Sequence, residues 1–222
     1  MKIKFIPSQN KNDFCKNKDL LRLVDLSLEH FENHIFDDIL ALISTSNISV
    51  INLLFNKFKS NQDFQEDKIY EELQVLINSI YSTFERDNLR GSFLEILIFK
   101  LLDNKYDFLK KGYLNGIDGY IEINGIRSER TVDVFAMCEF LKGFVCECKI
   151  DAQGFEDHDI RNLNNIFTDS HEILSPYIVS LSPKSHIDKK LSKLYSNDSS
   201  NAYVHGGFIE IISIDDFVKF FN

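Results

Sequence analysis

The 222-residue sequence predicts an α/β domain, a β-sheet flanked by helices, preceded by a helical N-terminal region. Three observations predict it. Between residues 119 and 150 lie three short apolar runs, GYIEINGI, RTVDVFAM and GFVCECKI, broken at Asn124-Gly125 and Lys142-Gly143, the pattern of consecutive antiparallel strands joined by turns. Segments of helical period stand on either side, LRGSFLEILIFKLLDN before them and EDHDIRNLNNIFTDSHEIL after them, and a further strand-like run, SPYIVSLS, follows. The first third of the chain carries helix-like spacing throughout.

Taken in order, DLLRLVDLSLEHFENHIFDDILALI and SVINLLFNKF read as helices separated by the turn-like STSN, and after the polar KSNQDFQEDK a third pattern runs from about Tyr70 to Phe84. The helix LRGSFLEILIFKLLDN has a single glycine, Gly91, near its start. Beyond SPYIVSLS come a helix in HIDKKLSKLYS, a Ser-, Asn- and Gly-rich loop at 196–207, a strand in FIEIISI and an amphipathic DDFVKFF. The chain therefore divides into a helical region at 1–84 and an α/β domain at 85–222. In the first region Leu20, Leu21, Val24, Phe31, Phe36, Ile39, Leu40, Leu53, Leu54 and Phe55 exceed what one core-facing side of a helix requires. That surplus is expected to make a homodimer, dock a partner subunit, or cap the sheet.

Composition excludes several classes. With 44% apolar residues the chain can bury a core, yet no apolar run approaches the roughly 20 residues a membrane span needs, and MKIKFIPSQNKNDF has no signal-peptide core. A cytoplasmic protein without membrane contact is expected. Cys15, Cys138, Cys146 and Cys148 form no CxxC pair and read as core fillers in a reducing compartment. His30 and His34 in HFENH would share a helix face, but Phe31 stands where a zinc protease needs Glu, so a solvated face is the better reading. No phosphate-binding glycine loop and no Gly-x-Ser-x-Gly elbow occurs. Net charge is −9 with no basic tail, so any nucleic-acid contact has to use local patches. Lys105, Lys110 and Lys111 form one, and Lys184, Lys189, Lys190 and Lys193 another; each is either a phosphate contact or ordinary solvated surface.

The chemistry lies in the strands. In GFVCECKI the period-two alternation sends Val145, Glu147 and Lys149 one way and Phe144, Cys146 and Cys148 the other. Opposite charges thus leave one face of a strand that reads as buried, and the preceding strand carries Asp133. Buried charges are costly unless paired or bound to an ion, so the set is either an internal ion pair or a metal site. Two carboxylates on neighbouring strands suit a hard cation such as Mg²⁺, with Mn²⁺ as a substitute, and Lys149 can hold water or phosphate beside them.

Asp133 in RTVDVFA, Glu147 and Lys149 in CECKI, Glu95 in RGSFLEILIF, and the order helix, three strands, helix, strand resemble the PD-(D/E)XK nuclease superfamily over about residues 85–182. Val132 stands where the proline of that name would be. The resemblance implies a restriction-endonuclease-like mixed sheet, with Asp133, Glu147 and Glu95 as metal ligands and Lys149 as the fourth catalytic residue. It implies metal-dependent phosphodiester hydrolysis, DNA favoured over RNA, in restriction, phage defence or repair. Gln153 is an accessory candidate and Arg161 a candidate phosphate contact; Asp118, in Gly-Ile-Asp-Gly, reads as a structural turn residue, and Glu122 is a further carboxylate nearby. A fold of this kind retained as a non-catalytic binding module is the alternative.

Overall fold

In the computed structural model, residues 1–8, 14–60, 67–137, 143–195 and 208–222 are described. Cys138, His205, the turn at Lys142 and the loop at 196–207 lie outside them. The chain forms two compact units, one of Met1–Lys11 with Leu94–Asn222 and one of Asn12–Phe93.

The first unit is built on a mixed seven-stranded sheet. Its strands are β1 (Ile3–Pro7), β2 (Leu114–Ile123), β3 (Ile126–Arg127), β4 (Val132–Met137), β5 (Gly143–Lys149), β6 (Leu174–Ser180) and β7 (Glu210–Ile212), in the order β1-β2-β4-β5-β6-β7 with β3 paired to β2. Pairing is antiparallel from β1 to β5 and parallel from β5 through β6 to β7. Parallel neighbours need a long connection, which helices supply here. These are α7 (Asp157–Asp169) between β5 and β6 and α8 (Lys184–Tyr195) between β6 and β7; a last short helix, α9, spans Phe217–Phe221. Ile160, Leu163 and Ile166 of α7 and Ile187 and Leu191 of α8 recur at helical spacing and join Phe135, Val145, Phe155 and Ile178 in one buried core.

The expected helical region therefore begins with a strand. Phe5 of β1 lies over two glycines of β2: a Cβ added to Gly116 or Gly119 would sit 2.0 or 2.3 Å from its ring. The ring stacks on Phe135 with centroids 5.6 Å apart. The Phe5 ring fits only because these two positions of β2 carry no side chain, and the two compact units divide after 11 and after 93, where 84 was expected. Asp118, expected in a turn, is inside β2, where its left-handed φ of 49° interrupts the ladder between Ile117↔Val134 and Gly119↔Val132. Aspartate tolerates that conformation better than most residues.

The second unit contains α1 (Lys18–Glu29), α2 (His34–Ser44), α3 (Ile48–Ser60), α4 (Asp67–Tyr81) and the first turns of α5 (Arg86–Tyr106), with the short α6 (Phe108–Lys111) following α5 in the sheet unit. Asn17 caps α1 through the Leu20 amide at 2.9 Å, and Asn33 caps α2 through the Ile35 amide at 3.0 Å. That second cap splits HFENH: His30 follows the end of α1 and His34 opens α2, so the two histidines do not share a helix face. The C-terminal carbonyls of α2 are closed by side chains. The Tyr81 hydroxyl, with one proton to donate, lies 2.6 Å from the Thr45 carbonyl and 2.8 Å from that of Leu42, and buried Arg90 donates to those of Ile43 at 2.7 Å and Ser44 at 2.9 Å.

Candidate functional site

Strands β4 and β5 pair at Val134↔Cys146 and Phe135↔Val145, and one further step in that register sets Asp133 across from Glu147. Asp133 Oδ2 accepts the Cys148 N–H at 2.7 Å, which fixes the carboxylate against the backbone of β5. Lys149 Nζ lies 3.3 Å from Glu147 Oε2 and 3.6 Å from Asp133 Oδ2. Asp133 is 7% exposed and Glu147 4%, whereas the Lys149 side chain keeps 27% of its surface, so one ammonium closes two buried carboxylates from the solvent side. The fold leaves Glu147 no alternative, because β5 is covered on both faces and has β6 beside it, with Glu147 next to Ile178 and Lys149 next to Ser180.

Electrostatics follow from that burial. Desolvation, then the Asp133 charge, push the Glu147 carboxyl well above its ordinary value, with Lys149 opposing. For Lys149, burial favours the neutral amine, but Asp133, Glu147 and Asp159 outweigh it and the net direction is up. Burial also pushes the Cys146 and Cys148 thiols up, which makes them inert core residues.

The turn after β5 covers the lysine. Its residues Ala152–Gly154 form a 3-10 turn in which Asp151 Oδ1 accepts the Gln153 N–H at 2.8 Å and Ser182 Oγ accepts the Ala152 N–H at 2.9 Å. A Cβ on Gly154 would stand 3.5 Å from the Lys149 stem, so this strap rests on it. Gln153 itself is exposed.

The remaining expected residues are placed differently. Glu95 is buried on α5, and its charge is among those raising the Cys148 thiol. Helix α5 also packs on Phe144 of β5 through Tyr106, at 5.1 Å between ring centroids. Among the described residues no three His, Cys, Asp or Glu side chains form a metal-binding group. Glu122 pairs with Lys4 at 2.6 Å on the β1–β2 ladder. Arg161 is exposed and paired with Asp157 at 2.8 Å. Lys184, Lys189 and Lys193 are exposed on α8 and Lys190 is half-buried. Lys105 donates to the Phe220 carbonyl, Lys111 to that of Tyr106, and Lys110 pairs with Asp107. Sequence reasoning missed Asp159 and Ser182. The first had a signal in the E-x-x-D of a helix start, but the second, a serine after a strand, had none.

No protein-family model matches the chain, and no curated protein matches it. Among solved structures it is similar to protein VC1899 from Vibrio cholerae, at 15% identity and a TM-score of 0.46. The match covers 99% of this chain and 56% of that one, so the chain spans a little over half the length of that protein. The fold is α/β, a mixed sheet with flanking helices and a helical region towards the N-terminus. No helix among the described residues is long and apolar enough to cross a membrane.

Proposed function

We propose that this protein is a metal-dependent nuclease of the PD-(D/E)XK type that hydrolyses phosphodiester bonds, with DNA favoured over RNA. The observation that carries the reading is the Asp133, Glu147 and Lys149 set, in which two buried carboxylates share one ammonium. A buried carboxylate in excess of its cations is costly, and Glu147 relieves that cost either by taking a proton or by gaining a cation. Two oxygen donors on adjacent strands suit Mg²⁺ or Mn²⁺, which keep several of their waters, so Asp133 and Glu147 are the residues that would hold the ion. Bound there, the ion supplies a lowered water pKa and neutralises charge growing on the phosphate. Asp133 is held for this by the Cys148 amide, and Lys149, partly open to solvent, can contact a phosphate oxygen or orient the attacking water. Lys184, Lys189 and Lys193 on α8 offer charge for a nucleic-acid backbone in a chain that is otherwise acidic. The proposed setting is restriction, phage defence or repair inside the cell.

Titration of Mg²⁺ and Mn²⁺ by calorimetry, alongside cleavage of single- and double-stranded DNA and RNA, tests the reading. Binding that Asp133→Asn weakens is expected, with Glu147→Ala and Lys149→Ala each lowering cleavage by about 10²- to 10⁴-fold while leaving the protein folded. Wild-type rates in both variants would sink it. A second reading, a non-catalytic module of the same fold, is favoured by the absence of a three-donor group among the described residues. It requires that neither ion binds and no substrate is cut.

A further inference from the structure

We infer that Ser182, just after β6, is a positioning residue for Lys149: its hydroxyl latches the Ala152–Gly154 strap down onto the lysine stem. The catalytic part of this inference rests on the nuclease reading above; the structural part does not.

Ser182 is built as a fixed post. Strand β6 sets Ser180 beside Lys149, and two residues further on the Ser182 N–H donates to Ser180 Oγ at 3.2 Å. From its other side the Ser182 carbonyl accepts the Ile214 N–H at 3.4 Å, out of the 3-10 turn that follows β7. Both serines are buried. With its main chain held from two directions, Ser182 presents Oγ to the Ala152 N–H at 2.9 Å. Ala152 is fully buried, and an N–H there needs a partner inside the protein.

The strap passes that hold on to the lysine. It is stiffened from within: Asp151 Oδ1 accepts the Gln153 N–H at 2.8 Å, the Asp151 carbonyl accepts the Gly154 N–H at 2.9 Å, and the Ala152 carbonyl accepts the Phe155 N–H at 3.3 Å. Phe155 is packed in the core under α7 and α8, so the strap is closed at both ends, by Ser182 at Ala152 and by packing at Phe155. Between those ends Gly154 lies on Lys149. An added Cβ would stand 3.5 Å from the lysine Cδ and 3.6 Å from its Cβ and Cγ, so no layer of water separates strap from stem.

Three stem carbons are thereby held by the strap, while the ammonium is held from the sheet by Glu147 at 3.3 Å and Asp133 at 3.6 Å. Lysine has much rotamer freedom to lose, and two separate holds remove it at two places. An ion or a phosphate that draws the carboxylates away from the ammonium leaves the stem where the strap keeps it. That duty distinguishes Ser182 from a hydroxyl that only satisfies a buried amide.

Ser182→Ala removes the acceptor and little volume. In the full chain, hydrogen exchange at the Ala152 amide is expected to rise about tenfold, and acylation of Lys149 by an amine-reactive reagent, read by mass spectrometry, about threefold to tenfold. Acylation of Lys105, whose ammonium is anchored on the Phe220 carbonyl, should stay at the wild-type rate. Ser182→Thr, which keeps the hydroxyl, should return the Ala152 and Lys149 rates towards those of the wild type. A Lys149 rate that stays unchanged while the Ala152 amide exchanges faster would overturn the inference, as would equal rises at Lys149 and Lys105. If Ser182→Ala does not fold, Ser182→Cys, of similar volume and a weaker acceptor, is read against the same outcomes. For cleavage, the expectation is a kcat about tenfold lower at unchanged KM, restored by threonine, and a change in KM alone would overturn the positioning role. Should the wild-type protein cut nothing, the nuclease reading fails while the labelling still decides what Ser182 does.

Discussion

Buried charge is handled in opposite ways in the two units. In the helical unit Arg90 is held by what the fold already contains: its Nε and Nη2 donate to the last carbonyls of α2, and Nη1 meets Asp87 at 3.0 Å. A cation at a helix C-terminus also faces the negative end of the helix dipole, so no further partner is called for. In the sheet unit the sign and the balance are reversed. Asp133 and Glu147 share one ammonium, and Glu147 responds with a raised pKa. The first is charge that its surroundings satisfy; the second is charge left in excess, the feature on which the proposed ion site rests.

The contrast can be broken at three points. The largest effect is expected at Arg90. Arg90→Met leaves the Ser44 carbonyl without its side-chain donor and the Ile43 carbonyl with only the longer Tyr81 contact at 3.3 Å, and should cost about 3 to 5 kcal/mol in urea unfolding. A midpoint like that of the wild type would show that the arginine is not a structural plug.

The next effect depends on pH. A carboxyl whose pKa is raised in the folded state binds more protons folded than unfolded, so its contribution to stability falls as pH rises above the ordinary value of 4.5. With chelator present, Glu147→Gln should therefore melt above the wild type at neutral pH. The gap should close as pH falls toward 4.5, changing by at most about 1.4 kcal/mol per pH unit. Parallel melting curves between about pH 5 and pH 8 would mean that Lys149 and its neighbours already balance Glu147. Saturating Mg²⁺ should reverse the order, since the ion stabilises only the chain that retains the carboxylate.

The smallest effect tests whether the residue beside Arg90 shares its importance. An added Cβ on Gly91 meets nothing within 4 Å, and glycine weakens a helix interior. Gly91→Ala should raise stability by about 0.5 to 1 kcal/mol, measured by thermal melting. A loss instead would show that the start of α5 needs its glycine for a reason other than packing.

Much of the sheet unit was legible because its signals are local. Turn residues divide 119–150 into strands, and the alternation in GFVCECKI by itself separates Glu147 and Lys149 from the cysteines. What escaped depends on partners distant in sequence. IKFIP alternates like a strand, but nothing near it says that Gly116 and Gly119 provide its seat. Asp118 stood between glycine-rich neighbours that mimic a turn, whereas the chain passes through it as an interrupted strand.

The seating of Phe5 on its two glycines has a consequence in time. Ile3 pairs with Ile123, so β1 leaves the ribosome 120 residues ahead of the strand that receives it. At about 5 to 20 residues per second that is a delay of roughly 6 to 24 seconds, during which the edge strand has no partner in its own sheet. Residues Asn12–Phe93, a compact unit of their own, emerge within that interval and can fold first. Completion of the sheet then waits on a long-range search by a short, already-made segment, and any substitution that fills Gly116 or Gly119 would lengthen that wait before it showed in the equilibrium stability.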